Sequence, residues 1–343
     1  MKHRAVLTYG LGMLAIVALL NISDNGRTAG KLIRSFEHIL TTEKVVRNTF
    51  QDGCAIGQFK SEHTRQCSWI KTSYSVAEDT YFSDDEITDI LLRATTANDA
   101  KEYELVLDLI TPLVEIGHPT AQEILGELYL HGTGVPENRD VAEQLYSFSA
   151  LQEDSWSKWV LSQIIFDRCQ ENCTEQALAM ALLNEAADEG IGEAQEELAR
   201  LYWLGSFVEA NKKTSIQWTK KAAKSGMPDA QLILGQLYHD GKYIKKNFDA
   251  ALIWLTKAAE ADKSEAKRSL ALMNLKGEGV PQNFDLGVRW LWGASQHDNP
   301  KAQALLGVLL LDKQKSYYNF LRGLMWVEVA LKNGLKETGT GLP

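Results

Sequence analysis

Three Ser-x-x-Lys tetrapeptides are the segments of this chain with the clearest potential for chemistry. They span residues 68–71, 155–158 and 264–267. In penicillin-binding enzymes this spacing places a lysine beside a nucleophilic serine, and partner motifs such as Lys-Thr-Gly complete the site. The sequence contains no Lys-Thr-Gly. An envelope hydrolase acting on peptidoglycan or a β-lactam is therefore kept only as an alternative.

Cys54, His63 and Cys67 are the residues best suited to hold a metal. Zinc sites in proteins usually take four ligands, and neither a fourth ligand nor a familiar spacing accompanies these three. The chain also has no His-Glu-x-x-His, no Gly-x-Ser-x-Gly and no phosphate-binding glycine loop. We therefore predict no catalytic residue, no metal and no cofactor, and we expect the protein not to be an enzyme.

The four cysteines form two local pairs, Cys54 with Cys67 and Cys169 with Cys173. An even count behind an export-like N-terminus is typical of disulfides in an oxidising compartment. The spacing of Cys169 and Cys173 allows them to meet across a turn. The alternative is four unpaired thiols in a cytosolic protein.

The N-terminus carries a segment typical of export. Lys2 and Arg4 precede residues 5–23, which contain no charged side chain. A cleaved signal peptide would fit, but no small-x-small pair closes the apolar run. Residues 5–22 are just long enough to span a bilayer, so we favour an uncleaved anchor. Either route exports the rest of the chain if the basic end stays inside.

The elements that follow are set by an internal repeat of 36 or 37 residues. Six copies of one helix-start pattern begin at Ala121, Ser157, Ala194, Ala230, Ala266 and Ala302. The fifth position is always Leu, the sixth is always small, and the eighth is always apolar, so these side chains share one helical face. The small residue is a glycine in three copies, at Gly126, Gly235 and Gly307. A glycine inside a helix predicts that a neighbouring helix approaches closely at that point.

A second helix in each copy carries its own apolar anchor, 24 residues after the repeat start in most copies. The anchors are Leu145, Leu182, Trp218, Trp254, Trp290 and Trp326. We predict that they are core residues, because a buried tryptophan covers on the order of 200 Å². The turn between the helices is clearest at residues 131–138 and 276–283, where glycines favour positive φ and an asparagine can cap the next helix.

These turns follow a Gly-x-Gly-Val-Pro-x-Asn pattern, with Ala-x-x-x-Leu-Gly-x-Leu-Tyr before the first of them and Trp-x-x-Lys-Ala-Ala in residues 218–223 and 254–259. The combination resembles the Sel-one-like repeat family over residues 121–334. The resemblance implies a fold related to tetratricopeptide repeats and a role in protein–protein interaction. The turns of the second and last copies depart from the pattern.

The predicted fold is all-α, a right-handed α/α solenoid of about seven helix-turn-helix repeats behind an N-terminal hydrophobic helix. Residues 1–23 form the anchor, and 24–82 form a linker or stalk with a cysteine pair, a predicted helix at 34–50 and a predicted loop at 52–69. Residues 83–120 form a degenerate capping pair of helices, in which residues 83–86 have the pattern of a capping box and the second helix runs from about residue 99 to residue 116. Residues 121–334 hold the six repeats and 335–343 a C-terminal tail. Atypical terminal units are a general requirement of solenoids.

The third, seventh and tenth positions of the first helices vary between copies and share a face. We call this the first-helix face and predict that it lines the concave side and binds a protein or peptide. Large aromatic residues on such a face are typical of interface hot spots, although Phe166 and Trp203 could instead be buried against a neighbouring repeat. His239 is expected to be a surface residue. The predicted binding residues are Glu123, Glu127, Trp159, Gln163, Phe166, Glu196, Arg200, Trp203, Leu232, Gln236, His239, Arg268 and Leu272.

Taken together, the sequence predicts an exported, membrane-anchored scaffold with its repeats in the bacterial periplasm. Its net charge of −9 argues against nucleic acid as a partner. A secreted form released by signal cleavage and a cytosol-facing adaptor of the same fold remain alternatives. The sequence leaves the oligomeric state open.

Overall fold

The computed structural model describes residues 58–60, 67–69, 82–169, 175–297, 299–314 and 318–335 of the chain. The chain divides into two compact units, Met1–Ile191 and Gly192–Pro343. The predicted anchor at 5–22 and the predicted helix at 34–50 lie outside the described residues. Within those residues, no helix combines the length and the apolar character that crossing a membrane requires.

The described part of the first unit contains a two-stranded ladder and six helices. The elements are β1 (Gln58–Lys60), β2 (Cys67–Trp69), α1 (Asp84–Asp99), α2 (Tyr103–Glu115), α3 (Pro119–His131), α4 (Arg139–Ala150), α5 (Ser155–Arg168) and α6 (Gln176–Asp188). The strands are antiparallel, with Phe59 opposite Ser68. The loop predicted for residues 52–69 was therefore wrong at these two strands, because three residues are too few for alternation to show in a sequence.

Eight helices lie in the residues of the second unit that the structure describes. They are α7 (Gly192–Leu204), α8 (Lys212–Lys224), α9 (Pro228–Asp240), α10 (Phe248–Glu260), α11 (Ser264–Lys276), α12 (Phe284–Ser295), α13 (Pro300–Leu311) and α14 (Phe320–Lys332). In both units each odd-numbered helix packs on the helix that follows it, which makes seven helical hairpins of the described helices. The all-helical repeat architecture is thus confirmed, whereas the right-handed superhelical path stays a prediction.

The glycines at the sixth repeat position mark the closest helix contact in three hairpins. A Cβ added to Gly126 would lie 3.1 Å from the Tyr146 ring, and one added to Gly235 would lie 2.7 Å from Leu255 Cγ. At Gly307 the added Cβ would lie 2.7 Å from Val327 Cγ2. All three neighbours lie 25 residues after their repeat start, so the same pair of positions sets the helix separation each time. The prediction of matching tight contacts is confirmed.

Turn geometry also follows the repeat. Gly132 and Gly277 end their helices with φ of 64° and 76°, in the left-handed region that glycine tolerates. The side chains of Asn138 and Asn283 accept hydrogen bonds from Val141 N (3.2 Å) and Leu286 N (2.9 Å). The same cap recurs where the sequence analysis did not claim it, at Asn211, Asn247 and Asn319.

The degenerate first hairpin begins with the predicted capping box. Glu86 N donates to Ser83 Oγ at 3.3 Å, and Ser83 N donates to Glu86 Oε2 at 2.7 Å. The second helix of this hairpin begins at Tyr103 rather than near residue 99. The reason is that α1 continues to Asp99 and Lys101 then takes a φ of 61°, which is incompatible with a continuous helix.

The anchors of the second helices are only partly core. Leu145 and Leu182 are buried, as is Trp326. Trp218, Trp254 and Trp290 are half-buried instead. The Lys221 and Lys257 ammonium groups lie 3.8 Å and 4.8 Å from the ring centroids of Trp218 and Trp254, so lysines cover part of these rings.

Candidate functional site

Two helices of the first unit, α3 and α5, carry the first five predicted binding residues. Glu127 is exposed, Glu123, Trp159 and Gln163 are half-buried, and Phe166 is buried at 8 % exposure. Four of the five therefore remain accessible from one side of these helices. Gln163 Nε2 lies 3.5 Å from Ser162 Oγ.

Phe166 corrects the prediction that all of these side chains face a partner. On α5 it follows Ile164 and Ile165, which are also buried. An apolar run of this kind covers more than half of the helix circumference, so the side chain at its end turns into the core. Phe166 belongs to the packing of the unit, as the alternative interpretation of tenth positions proposed.

Three carboxylates of the first unit cluster around one tyrosine. Tyr146 Oη donates a hydrogen bond to Glu127 Oε2 at 2.9 Å, and the pKa of Tyr146 is raised by burial and by this carboxylate. Asp154 caps α5, since its Oδ1 accepts from Ser157 N at 2.7 Å. Glu123 and Asp154 both act on Tyr146 electrostatically, which places the three acids in one neighbourhood.

Glu123 is the member of this cluster whose charge has no counter-charge among the described residues. Its pKa is raised to about 7, first by burial and then by the negative charges of Asp154 and Glu127. Within the described part of the chain, no basic side chain forms an ion pair with Glu123. Glu127 lies beside His131, whose Nε2 is 3.2 Å from Glu127 Oε1. The cluster therefore carries negative charge that the described residues around it do not neutralise.

An aromatic pair adjoins these carboxylates. Trp156 and Trp159 lie in the first two turns of α5, directly after Asp154, with ring centroids 4.6 Å apart and planes tilted by 60°. In the structure as described, Trp159 Nε1 is buried without a hydrogen-bond partner. The start of α5 thus combines the Asp154 carboxylate with two indole rings, and a carboxylate beside the face of an indole ring is able to bind a cationic group.

In the second unit, the charged residues of the first-helix face have hydrogen-bond partners. Glu196 Oε1 accepts a hydrogen bond from Ala230 N at 2.8 Å. Arg200 Nε donates to Glu197 Oε2 at 2.8 Å, and Arg268 Nε donates to Glu265 Oε1 at 3.1 Å. Glu196 therefore joins two neighbouring hairpins, whereas the two arginines pair within their own helices, and all three groups offer less unsatisfied charge to a partner.

The aromatic and apolar residues of the first-helix face in the second unit also contact other side chains of that unit. The Trp203 ring has the Lys212 ammonium 4.0 Å from its centroid and meets Tyr243 edge-on at 5.1 Å. Leu232 packs against the core shared by α10 and α11. His239 is 30 % exposed and its Nε2 lies 2.8 Å from Glu278 Oε2. Gln236 and Leu272 are half-buried.

The Ser-x-x-Lys tetrapeptide at 155–158 is built into an ion-pair cluster. Lys158 is 3 % exposed, and its Nζ lies 2.5 Å from Glu153, 3.0 Å from Glu189 and 3.4 Å from Glu185. Burial lowers the pKa of Lys158, but hydrogen bonds to Glu153 and Glu189 outweigh it and raise the pKa above the ordinary range. A lysine that activates serine must be neutral, so this pair is unsuited to that chemistry.

The other chemical candidates give no site either. Lys267 pairs with Asp262, while Ser264 Oγ accepts from Asn299 Nδ2 at 3.4 Å. Lys71 lies outside the described residues, as do Cys54, His63 and Cys173. The described residues contain no group of three or more potential ligands that could hold a metal. Cys169 is buried directly after α5, and the two predicted disulfide pairings stay predictions.

Two members of the acidic cluster, Tyr146 and Asp154, were missed by the sequence analysis. A signal for each existed. Asp154 stands directly before a first helix, which is the N-cap position. Tyr146 occupies the position where two other hairpins carry Leu255 and Val327, so a polar group was visible at a helix contact.

Comparison with known proteins identifies the repeat. The family model described as Sel1 repeat matches residues 119–154, 192–227, 228–263 and 264–291. The copies that it leaves out are those whose turns depart from the pattern. No curated protein matches the chain.

Two solved structures show the same fold. A Sel1 repeat protein from Oxalobacter formigenes is 25 % identical, with a TM-score of 0.58, over 74 % of this chain and 99 % of its own. A protective antigen of uropathogenic Escherichia coli that displays an SLR fold is 22 % identical, with a TM-score of 0.61. That match covers 72 % of this chain and 56 % of the antigen.

Proposed function

We propose that this chain, in which four Sel1 repeats are matched, is a non-enzymatic scaffold that binds a protein or peptide on its first-helix face. The observation that supports this most directly is the group formed by Glu123, Glu127, Asp154 and the Trp156–Trp159 pair. A perturbed carboxyl on an accessible face is typical of functional sites. The repeat architecture supplies rigid helices that hold such a group in place.

The partner segment at this group is basic. A lysine, arginine or amino-terminal ammonium would neutralise Glu123, whose negative form the unit alone disfavours. The same cation could lie against an indole ring, an arrangement worth about 0.5–2 kcal/mol. A nearby backbone carbonyl of the peptide would accept from Trp159 Nε1 after a small side-chain movement. An acidic segment would add like charges, so we expect it to bind more weakly.

Fluorescence anisotropy with three labelled peptides of equal length, basic, neutral and acidic, tests this proposal. We expect the full-length protein in mild detergent to bind the basic peptide best. Changing Glu123→Gln together with Glu127→Gln should weaken that binding by about tenfold or more. Glu104→Gln removes a similar exposed charge from α2 and serves as the control. Equal binding of all three peptides, or equal losses in the test and control variants, would reject the site.

Crosslinking locates the bound peptide independently of charge. A photoreactive residue at position 159 should capture the basic peptide. The same residue at position 140, on the exposed side of α4, should capture little. Equal capture from both positions would contradict binding on the first-helix face.

We also propose that the scaffold is an adaptor in a bacterial envelope complex, held in the inner membrane by residues 5–22 with its repeats in the periplasm. The apolar N-terminal segment and the paired cysteines support this. Release after signal cleavage and a cytosol-facing form are the other outcomes of the test.

Alkylation of thiols in intact cells, with and without reductant, separates these outcomes. Cys54, Cys67, Cys169 and Cys173 should react only after reduction if the repeats are exported. Four thiols that react without reductant in permeabilised cells would place the protein in the cytosol. Sedimentation with membranes after carbonate washing, together with the mass of the N-terminal peptide, distinguishes the anchored form from the cleaved one.

A further inference from the structure

The second unit carries a lysine-rich surface, although the net charge of the whole chain is −9. We call this surface the lysine band, and it consists of α8 and the turn at residues 241–247. Neither segment contains Asp, Glu or Arg. The turn supplies Lys242, Lys245 and Lys246, which are all exposed. The lysines of α8 are Lys212, Lys213, Lys220, Lys221 and Lys224.

Ring contacts join the two segments of the lysine band. The Lys212 ammonium lies 4.0 Å from the ring centroid of Trp203, and the Tyr243 ring meets Trp203 edge-on at 5.1 Å. The Lys242 ammonium lies 5.2 Å from the Tyr243 ring. The start of α8 and the turn therefore share one edge of the second unit.

From this edge the band continues along α8. Lys213, Lys220 and Lys224 are separated by seven and four residues, which places them on one side of the helix. A helix rises about 16 Å over this length. Within the described residues, none of these three lysines forms an ion pair.

Few acids border the lysine band. Glu209, Asp240 and Asp249 are the acidic residues next to it in the sequence. Asp240 lies beside His239, with 3.0 Å between Asp240 Oδ1 and His239 Nδ1. The lysines outnumber these acids, so the local charge is positive and the band attracts an anionic surface even though the chain as a whole is acidic.

The charge pattern is unfavourable for α8 itself. The second residue of the helix is an aspartate in three other second helices, at Asp140, Asp249 and Asp285. An acid at this position is stabilised by the positive end of the helix dipole, whereas α8 has Lys213 there. Lys220 and Lys224 are like charges at i and i+4, which destabilise a helix. The packing that the structure describes for α8 does not need lysine at these positions, so the pattern indicates a partner of negative charge.

We propose that the lysine band binds the surface of an anionic phospholipid bilayer. Clusters of about four to eight basic residues are typical of proteins that bind anionic lipid headgroups. The absence of arginine from the band favours a bilayer over an acidic protein, because protein interfaces are enriched in arginine and depleted in lysine. The net charge of −9 disfavours nucleic acid. Leu204 and Tyr243, which are 60 % and 42 % exposed beside the lysines, are of the kind that enters the headgroup region.

Acetylation of amines on the full chain in vesicles, measured for each lysine by mass spectrometry, tests the proposal. With about 30 % phosphatidylglycerol, we expect Lys213, Lys224 and Lys245 to react about fivefold more slowly than in pure phosphatidylcholine. Lys301 and Lys332, which are exposed in the last hairpin, should react equally in both types of vesicle. A salt concentration of about 0.5 M should abolish the difference, because salt screens the attraction.

Two double variants assign this protection to the band. Lys213→Gln combined with Lys224→Gln should lower the protection of Lys245 to about twofold or less, because two of the attracting charges are gone. Lys301→Gln combined with Lys332→Gln removes the same charge elsewhere in the unit and should leave the protection of Lys245 unchanged.

Equal reaction rates in the two types of vesicle would overturn the proposal, as would equal protection of the control lysines or unchanged protection in the first double variant. Polyglutamate of equal charge, added to neutral vesicles, should protect less than the anionic lipid does. Equal protection by polyglutamate would assign the band to an acidic protein instead. Insertion of residues 5–22 would be the same in both types of vesicle, so it does not affect the comparison. Failure of this test leaves peptide binding at Glu123 unaffected, because that site lies in the first unit.

Discussion

Replacing Glu123 with glutamine should make the protein more stable above neutral pH. The carboxyl has a pKa of about 7 in the folded protein and an ordinary value of 4.5. Between these two values the folded chain holds a proton that the unfolded chain has released, so the free energy of unfolding falls as the pH rises. Above pH 7 this difference amounts to roughly 3 kcal/mol. Glutamine keeps the size and shape of the side chain but cannot ionise.

The expected result is therefore dependent on pH. At pH 8, Glu123→Gln should raise the free energy of unfolding of the first unit by about 2–3 kcal/mol. At pH 4, where glutamate is protonated in both states, the two proteins should agree within about 0.5 kcal/mol. Urea unfolding followed by circular dichroism at the two pH values measures both quantities. The linear extrapolation is precise enough for a difference of this size.

Two results would refute the reasoning. A gain in stability that is equal at pH 4 and pH 8 would show that glutamine improves packing and that ionisation is not involved. No gain at pH 8 would show that Glu123 is already neutralised in the protein, which would also remove the argument for a basic partner. Glu104→Gln, on the exposed side of α2, should change neither value.

Four further substitutions test the repeat and the ion-pair cluster, each by urea unfolding. Gly307→Ala should destabilise the protein by about 1–3 kcal/mol, because the new Cβ would lie 2.9 Å from the Gly323 carbonyl oxygen. Gly293→Ala should stabilise it by about 0.5–1 kcal/mol, because there the new Cβ would meet Lys267 Cδ at 3.5 Å. The reverse order of stabilities would contradict the close helix contact at Gly307. Lys158→Met should lower the free energy of unfolding by about 2 kcal/mol at pH 7, because three carboxylates lose a buried counter-charge. The loss should be smaller at pH 3, because protonation there removes the stability that the lowered pKa of Glu189 provides above its ordinary value. An equal loss at pH 3 and pH 7 would indicate that Lys158 contributes through packing alone. Asn283→Ala should cost about 1 kcal/mol through loss of the cap on α12, and no change would mean that water replaces it.

Much of the fold follows from features that are local in the sequence. The 36- or 37-residue period, the leucine at the fifth position and the turn glycines predicted every helical hairpin from residue 121 onward, because helix starts, caps and faces depend on residues within a few positions of each other. The capping box at Ser83 and the close contacts at Gly126, Gly235 and Gly307 were predicted on the same basis. The strands at 58–60 and 67–69 were not, because pairing between short segments depends on partners that alternation cannot reveal.

The candidate site could be predicted from the sequence less fully than the fold, because its contacts join residues that are distant along the chain. The sequence placed Glu123, Trp159 and Arg200 on one type of helix face, but it could not show that Arg200 is paired while Glu123 is left with other acids. Tyr146 reaches Glu127 across 19 residues and Lys158 reaches Glu189 across 31. Burial and pKa are set by such distant neighbours, because desolvation and Coulomb energies depend on distance in space. The sequence by itself therefore determined which helices form and which faces they pair by, and only their packing decided which polar groups remain available to a partner.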